Sequence, residues 1–317
     1  MRLVFMGTPD FAVPSFKALL DSDHTVVAAV TQPDRPKGRG RKLSASAVKE
    51  AALAAGVPVF QPESMKDPQF LSALKQLNAD CFVVVAFRIL PPAVYEMPER
   101  GTFNLHTSLL PRYRGAAPMQ WALINGDTET GLTTFLLDRR VDTGAILLQE
   151  RLPIGPEETL GELHDRMATL GAALVLKTVQ GVCDRVLTPQ PQVGETSSAP
   201  KIEAHHSDLD WSWSAEKIVN RVRGLSPTPA AKTIWHGKRL KIYRAGITSM
   251  DSTGNALPGT LLEVCPEGLV VQAGVGCVRI TELQMEGRKR MNTDAFLRGC
   301  ALQKGDTFDK RTANDRG

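Results

Sequence analysis

The stretch Gly101-Thr102-Phe103-Asn104-Leu105-His106-Thr107-Ser108-Leu109-Leu110-Pro111 decides how this chain is read. It has the pattern of a short strand, 103–106, that stops at a proline-bearing loop. Alternate residues of a strand share a face. Asn104 and His106 therefore point the same way near the strand's carboxyl end, where open α/β sheets keep their ligand crevices. About one strand and one loop later comes Val141-Asp142-Thr143-Gly144, a carboxylate just before a glycine.

Upstream of this stretch, strand and helix signals alternate. Residues 2–6 are an apolar strand, followed by a turn and an amphipathic helix over about 10–20. Residues 24–31 are a β-branched strand. Ser44 or Ser46 can cap a helix that runs to Ala55 and stops at Gly56. Residues 57–60 are a short strand, and 67–77 a helix with Phe70, Leu71, Leu74 and Leu77 on one side. The unbroken apolar run 81–87 suits a central parallel strand. Downstream, 116–124 is helical, 132–137 and 145–151 read as strands flanking Asp142, and 159–180 as a long amphipathic helix. The alternation predicts a doubly wound, Rossmann-like parallel sheet. The first strand-to-helix turn, Gly7-Thr8-Pro9-Asp10, lacks the glycine spacing of a dinucleotide site.

Residues 184–208 are rich in Pro, Gly, Ser and Thr and read as a linker. Beyond them, Asp210-Trp211 leads into a helix over 215–222. Short β-branched segments punctuated by Gly237, Gly254, Gly268 and Gly274 then predict a small β-barrel. The expected division is a catalytic domain at 1–183, a linker at 184–208 and a barrel domain at 209–317.

No apolar run reaches the ~18 residues of a membrane span. The apolar start, Met1 to Met6, is broken at once by Gly7-Thr8-Pro9 and reads as a buried strand rather than a signal peptide. The 5 cysteines are odd in number and none are spaced as zinc ligands. A reduced cytoplasmic protein without a structural metal is expected. Charge is unevenly spread. Residues 209–317 hold 17 basic against 11 acidic side chains, whereas 1–208 hold 21 against 23. An excess of that kind suggests a polyanionic partner, although solvated surface charge explains it equally well on composition alone.

The chemistry follows from the residue types. Asn supplies a neutral hydrogen-bond donor, and His a group that carries a proton near neutral pH. With a nearby carboxylate they form a minimal set for acyl transfer through a charged tetrahedral intermediate. Neither Asn-x-His nor Asp-Thr-Gly is strong alone. No activated nucleophile stands out, so direct transfer is the simpler scheme. In it Asn104 donates to the developing oxyanion, and Asp142 orients His106 and holds it protonated. A second segment, 31–43, is basic and broken by Gly and Pro. From Arg35 to Lys49 it carries 6 positive side chains and no acid. It reads as a loop at the carboxyl edge of the sheet, suited to phosphate.

The run from Asn104 to Pro118 resembles the signature of the folate-dependent formyltransferases, and Asp142-Thr143-Gly144 their second motif. The basic segment, Gly7-Thr8-Pro9-Asp10-Phe11 and the Asp210-Trp211 region resemble the branch that formylates methionyl initiator tRNA. The resemblance implies a formyl group taken from 10-formyltetrahydrofolate, with Asn104, His106 and Asp142 as catalytic residues. It implies folate contacts by Ser108, Leu109, Leu110 and Pro111. It also implies that a loop with Arg35, Lys37, Arg39, Arg41 and Lys42 meets the tRNA acceptor end, and that an OB-like C-terminal domain grips the tRNA. The sequence is silent on oligomeric state, and a monomer gripping one tRNA is the default expectation. The chain departs from the family pattern at Phe87-Arg88, Thr107, Asp138-Arg139-Arg140-Val141 and Ala145. Two rival readings are a formyltransferase for an amino sugar or glycinamide nucleotide, and a non-catalytic RNA-binding protein on the same fold.

Overall fold

The structure, a computed structural model, describes residues 1–37, 42–250 and 256–309. In chain order the first elements are β1 (Arg2–Gly7), α1 (Val13–Leu20), β2 (Thr25–Val30), β3 (Arg35–Lys37), β4 (Lys42–Ser44), α2 (Ala47–Ala54), β5 (Val59–Phe60) and α3 (Pro68–Gln76). There follow β6 (Cys81–Val85), α4 (Pro92–Tyr95), β7 (Thr102–His106), β8 (Arg114–Gly115), α5 (Pro118–Ile124), β9 (Glu129–Leu136), β10 (Ile146–Pro153), α6 (Leu160–Cys183) and β11 (Ser198–Ala199). By contacts the chain forms two compact units. One holds Met1–Pro118, Thr130–Leu152 and His164–Pro200; the other holds Met119–Glu129, Pro153–Leu163 and Lys201–Gly317.

The first unit is built on a sheet of order β10-β9-β7-β6-β1-β2-β5. From β7 through β5 every pairing is parallel. Its central strands are apolar on both faces: β6 is buried throughout, and β1 from Leu3 onward, as a sheet covered on both sides requires. Val4, Met6, Phe82 and Val84 pack with Phe70 and Leu74 of α3. On the opposite face of β1, Phe5 meets Phe16 of α1 with ring centroids 5.1 Å apart. The helix signals hold locally. Ser46, not Ser44, caps α2 by accepting from Lys49 N at 3.1 Å, and Gly56 takes φ +68° just beyond it.

The chain lays β1, β2 and β5 outward in one direction, then returns to place β6 and β7 on the other side of β1. This reversal is a topological switch point, and the carboxyl ends of β1, β6 and β7 open on it. One strand departs from the all-parallel expectation: β9, read from 132–137, runs antiparallel to β7. It follows β7 after only a short helix and loop, and its apolar residues fit either direction.

The second unit carries α7 (Ala215–Leu225), β12 (Ala231–Trp235), β13 (Lys238–Thr248), β14 (Leu261–Cys265), β15 (Gly268–Gln272), β16 (Cys277–Met285), β17 (Met291–Asn292) and α8 (Thr293–Leu297). Its antiparallel sheet has the order β12-β13-β16-β15-β14, with β17 added to β16. Residues 305–309 close it. Gly305 N and Asp306 O pair with Leu261 at 2.8 Å, and Asp309 N donates to Ile234 O at 2.9 Å, so one segment joins the β14 side to the β12 edge. The result is the OB-like barrel expected. Ile218, Val222 and Leu225 of α7 bury into its core with Trp211, and Trp211 Nε1 finds Thr233 Oγ1 at 3.0 Å. Many of the unit's cations are already paired: Arg290 forks onto Glu282 at 2.6 Å through both Nε and Nη2, and Arg239 meets Glu286 at 3.0 Å.

Candidate active site

Three pieces of the first unit converge beyond the end of β7. The strand itself brings Asn104, half-buried, and His106, only 6% exposed. The loop after it brings Tyr113 and β8. The turn between β9 and β10 brings Asp142. His106 Nδ1 lies 3.9 Å from Asp142 Oδ2. On its other side, Nε2 lies 2.9 Å from the carbonyl oxygen of Tyr113. A carbonyl only accepts, so Nε2 carries a proton and Nδ1 is the atom that faces the carboxylate.

The expectation that Asp142 holds His106 protonated meets an opposing effect, burial. Burial lowers its pKa below the usual imidazole value, and this outweighs the opposing pull of Asp142 and of the Tyr113 carbonyl. Taking a charge out of water costs more than a carboxylate at 3.9 Å returns. Burial thus favours the neutral imidazole, and in that form the free lone pair is on Nδ1.

Asp142 takes a left-handed backbone conformation, φ +56°, which Asp tolerates better than most residues with a Cβ. Three contacts hold it here. Gly115 N–H donates to Asp142 Oδ2 at 2.8 Å. Gln192 Nε2 donates to the Asp142 carbonyl at 3.0 Å and to the Gly144 carbonyl at 2.9 Å. Gly144 itself cannot be larger, because a Cβ there would sit 1.7 Å from the Leu136 carbonyl oxygen. Arg139 and Arg140, the unusual residues before Asp142, are exposed.

The 108–111 loop is locked onto the sheet. Ser108 Oγ donates to Arg112 O at 2.6 Å. Thr133 Oγ1 donates to Ser108 O at 2.6 Å and accepts from Leu110 N at 3.2 Å. Gln149 Nε2 reaches Leu110 O at 2.9 Å. Ser108, Leu110 and Pro111 are buried, and Leu109 is half-buried against Gly131. The loop's side chains are thus largely occupied within the protein.

The basic segment is not simply a loop. Arg35 and Lys37 lie on β3 and Lys42 on β4, a local antiparallel pair in which Arg35 faces Ser44 and Lys37 faces Lys42. The nearby Lys49 is spent on Asp34 at 2.6 Å. Arg39 and Arg41 lie outside the described residues. Among the described residues no group of three or more His, Cys, Asp or Glu side chains could hold a metal ion, and no helix is long and apolar enough to cross a membrane.

Sequence reasoning missed Gln192 and Ser197, and it treated Tyr113 only as part of a motif. Ser197 Oγ accepts from Tyr113 N at 2.9 Å. Both missed residues fall in the Pro-, Gly- and Ser-rich stretch that composition marks as linker. Gln192, in the run Pro189-Gln190-Pro191-Gln192, has no helix or strand periodicity to announce it.

What this arrangement offers is a neutral amide, a buried imidazole and a carboxylate beyond the carboxyl end of β7, with no nucleophile among them. Comparison with known proteins agrees. Residues 1–179 match the family model described as formyl transferase, and 201–301 match formyl transferase, C-terminal domain. A protein of Moorella thermoacetica named methionyl-tRNA formyltransferase is 48% identical over 308 residues, covering 96% of this chain and 98% of its own. One of Pelotomaculum thermopropionicum with the same name is 46% identical over 307 residues, covering 96% and 97%. A solved sugar 3N-formyl transferase, crystallised in the presence of dTDP and 5-N-formyl-THF, superposes with a TM-score of 0.67 at 17% identity. It covers 91% of this chain and 99% of its own, a likeness of fold. Site, sequence and fold lead to one conclusion: this chain belongs to the formyl transferase family.

Proposed function

We propose that this enzyme transfers the formyl group of 10-formyltetrahydrofolate to the amino group of methionyl initiator tRNA, for translation initiation. The reading rests on one observation. Relatives bearing the name methionyl-tRNA formyltransferase match 96% of the chain at 46% and 48% identity, both units included. A formyltransferase for a small amine has no use for the surplus of basic side chains in 209–317 or for those between Arg35 and Lys42.

The transfer is direct. The methionyl amine attacks the formyl carbon, charge gathers on the formyl oxygen, and the amine must lose a proton. In our reading the Asn104 amide donates to that oxygen. The proton goes to His106 Nδ1, whose lone pair faces Asp142; the carboxylate then stabilises the imidazolium as it forms. A neutral resting His106 suits this role better than a protonated one, because a base must start empty. The proton can afterwards pass to the departing folate nitrogen. Ser108, Leu109, Leu110 and Pro111 would border the folate chiefly through main-chain atoms and Leu109, since Ser108 and Leu110 are engaged inside the protein.

Arg35, Lys37, Arg39, Arg41 and Lys42 are assigned to phosphates of the acceptor end, and residues 209–317 to the body of the tRNA, with 1–183 carrying the chemistry. A monomer working in the cytoplasm, where charged tRNA is found, completes the reading. The test is turnover with 10-formyltetrahydrofolate and methionyl-tRNA, free methionine or an amino sugar as acceptor. Formylation of the tRNA alone supports the proposal. Preference for the sugar, or no turnover with any acceptor, overturns it.

A further inference from the structure

The segment 190–199 lies outside both family matches, which cover 1–179 and 201–301. It is mostly exposed and interrupted by Pro191 and Gly194. Its bonds are nevertheless specific, and they go to the two loops that flank His106. Gln190 exchanges backbone hydrogen bonds with Ile146 at 2.7 and 2.9 Å. Gln192 donates both of its amide hydrogens, to Asp142 O and Gly144 O. Its Oε1 accepts from Arg114 Nε at 3.1 Å and Nη2 at 2.6 Å. The carboxamide's two donors are both used, and its oxygen takes two more bonds. Farther on, Ser197 O accepts from Arg114 N at 2.8 Å, and β11 pairs with β8.

These bonds form a closed circuit. Gln192 holds the Asp142 backbone and the Arg114 side chain. Arg114 is followed by Gly115, whose N–H holds the Asp142 carboxylate. Arg114 is preceded by Tyr113, whose carbonyl holds His106. Both members of the His106–Asp142 pair are thus tied to one clamp. We propose that Gln192 is a positioning residue for formyl transfer, its carboxamide clamping the Asp142 turn to Arg114 and so setting the approach of Asp142 to His106. The proposal rests on the assignment of that pair to formyl transfer. Neutrality matters as much as shape. A carboxylate at this position would keep Arg114 but would face the carbonyls of Asp142 and Gly144 with no hydrogen to give.

Among the described residues, the Asp142 carboxylate, the Tyr113 carbonyl and the ring of Phe135, its centroid 6.4 Å away, face His106. Asp142 is the charged one, and it raises the His106 pKa against burial. If the clamp is lost and the carboxylate drifts, that support weakens. The limb of the kcat profile that His106 controls then moves to lower pH.

The experiment compares wild type with Gln192→Met, which keeps length and loses every hydrogen bond, and Gln192→Glu, which keeps the Arg114 contact alone. Measured are kcat, KM for methionyl-tRNA, the pH profile of kcat, and Tm. Misplacement by a fraction of an ångström to an ångström costs up to about 100-fold. We expect kcat to fall about 10- to 100-fold in both variants, at nearly constant KM for tRNA, with the limb moved down in pH. If Gln192 serves only to fasten the segment to Arg114, Gln192→Glu restores wild-type kcat, and the proposal is overturned. It is also overturned if Gln192→Met loses Tm but keeps kcat within twofold and the limb in place. Should Gln192→Met not fold, Gln192→Asn carries the same test, because it is one methylene too short to span both loops. Wild type that fails to formylate methionyl-tRNA would instead refute the functional reading itself.

Discussion

The two regions at the carboxyl edge of the parallel sheet work by different physics. Around His106, the imidazole and the Asp142 turn are fixed by short, directional contacts: Tyr113 O at 2.9 Å, Gly115 N on Asp142 at 2.8 Å, Gln192 on two carbonyls. In the β3–β4 region the notable property is charge, and its described side chains are exposed at Arg35. In the function we propose, the first region acts through distances and the second through potential. Distances are spoiled by small changes of shape that leave charge alone. Potential is spoiled by loss of charge and by salt.

The sharpest way to break the comparison is to remove a group from the first region. His106→Ala and Asn104→Ala should each lower kcat by roughly 10²–10³, the usual result of losing a donor to a developing oxyanion or a positioned base. Binding of methionyl-tRNA, followed by filter retention, should hardly change. Near-normal kcat in either variant would remove that residue from the mechanism.

Asp142→Asn comes next. It preserves shape, so the Gly115 contact can persist, but the charge that opposes burial of the imidazolium is gone. We expect kcat to fall by about 10², and the His106 pKa to drop further below its ordinary value. An NMR titration that finds the same pKa in both proteins would show that the 3.9 Å approach has no electrostatic consequence.

A smaller effect is expected in the second region, where one residue tests whether potential is the whole story. Arg39 stands between Gly38 and Gly40, and its planar fork can take a phosphate through two bonds. Arg39→Lys should reduce kcat/KM about tenfold and leave the salt dependence of binding as it was, with charge retained. Lys42→Ala should do less to kcat/KM and flatten the salt dependence by about 0.7–0.9 of a unit of slope. Equal damage from both would reduce the region to a cloud of charge.

The smallest effect concerns stability. Burial holds the folded pKa of His106 below the unfolded value of 6.5. The contribution of this neutral imidazole to stability is complete above the unfolded pKa and is lost as pH falls through the folded one. Asp142→Asn lowers the folded pKa and so extends the loss to lower pH. Urea midpoints of wild type and His106→Gln, measured from pH 7.5 downward, should converge below pH 6.5. Parallel curves would mean that His106 titrates alike in both states.

What could be read in the sequence depends on whether a signal is local. The apolar run that became β6 and the Asn-x-His spacing of β7 are local patterns, and both are where periodicity puts them. The direction of β9 is set by a partner strand and leaves no mark on composition. The downward pull on the His106 pKa follows from burial, which the sequence around it does not express. Pro36 and the glycines at 38 and 40 suggested a loop, yet Arg35–Lys37 and Lys42–Ser44 satisfy one another as strands. Gln192 is the extreme case. The role proposed for it lies entirely in what two distant chain segments, Arg114 and the Asp142–Gly144 turn, present to it.

The closure of the barrel by residues 305–309 has a consequence for how the protein comes into being. Until that segment is in place, the backbone groups of Ile234 on β12 and Leu261 on β14 that it pairs with are left open, the kind of sheet edge on which chains join one another. The part assigned to gripping RNA therefore cannot complete itself while those residues are still unmade, however early the rest of it has formed. A chain cut before Gly305 should carry an intact parallel sheet and a sticky, open one, and it should announce the difference by associating with its own copies.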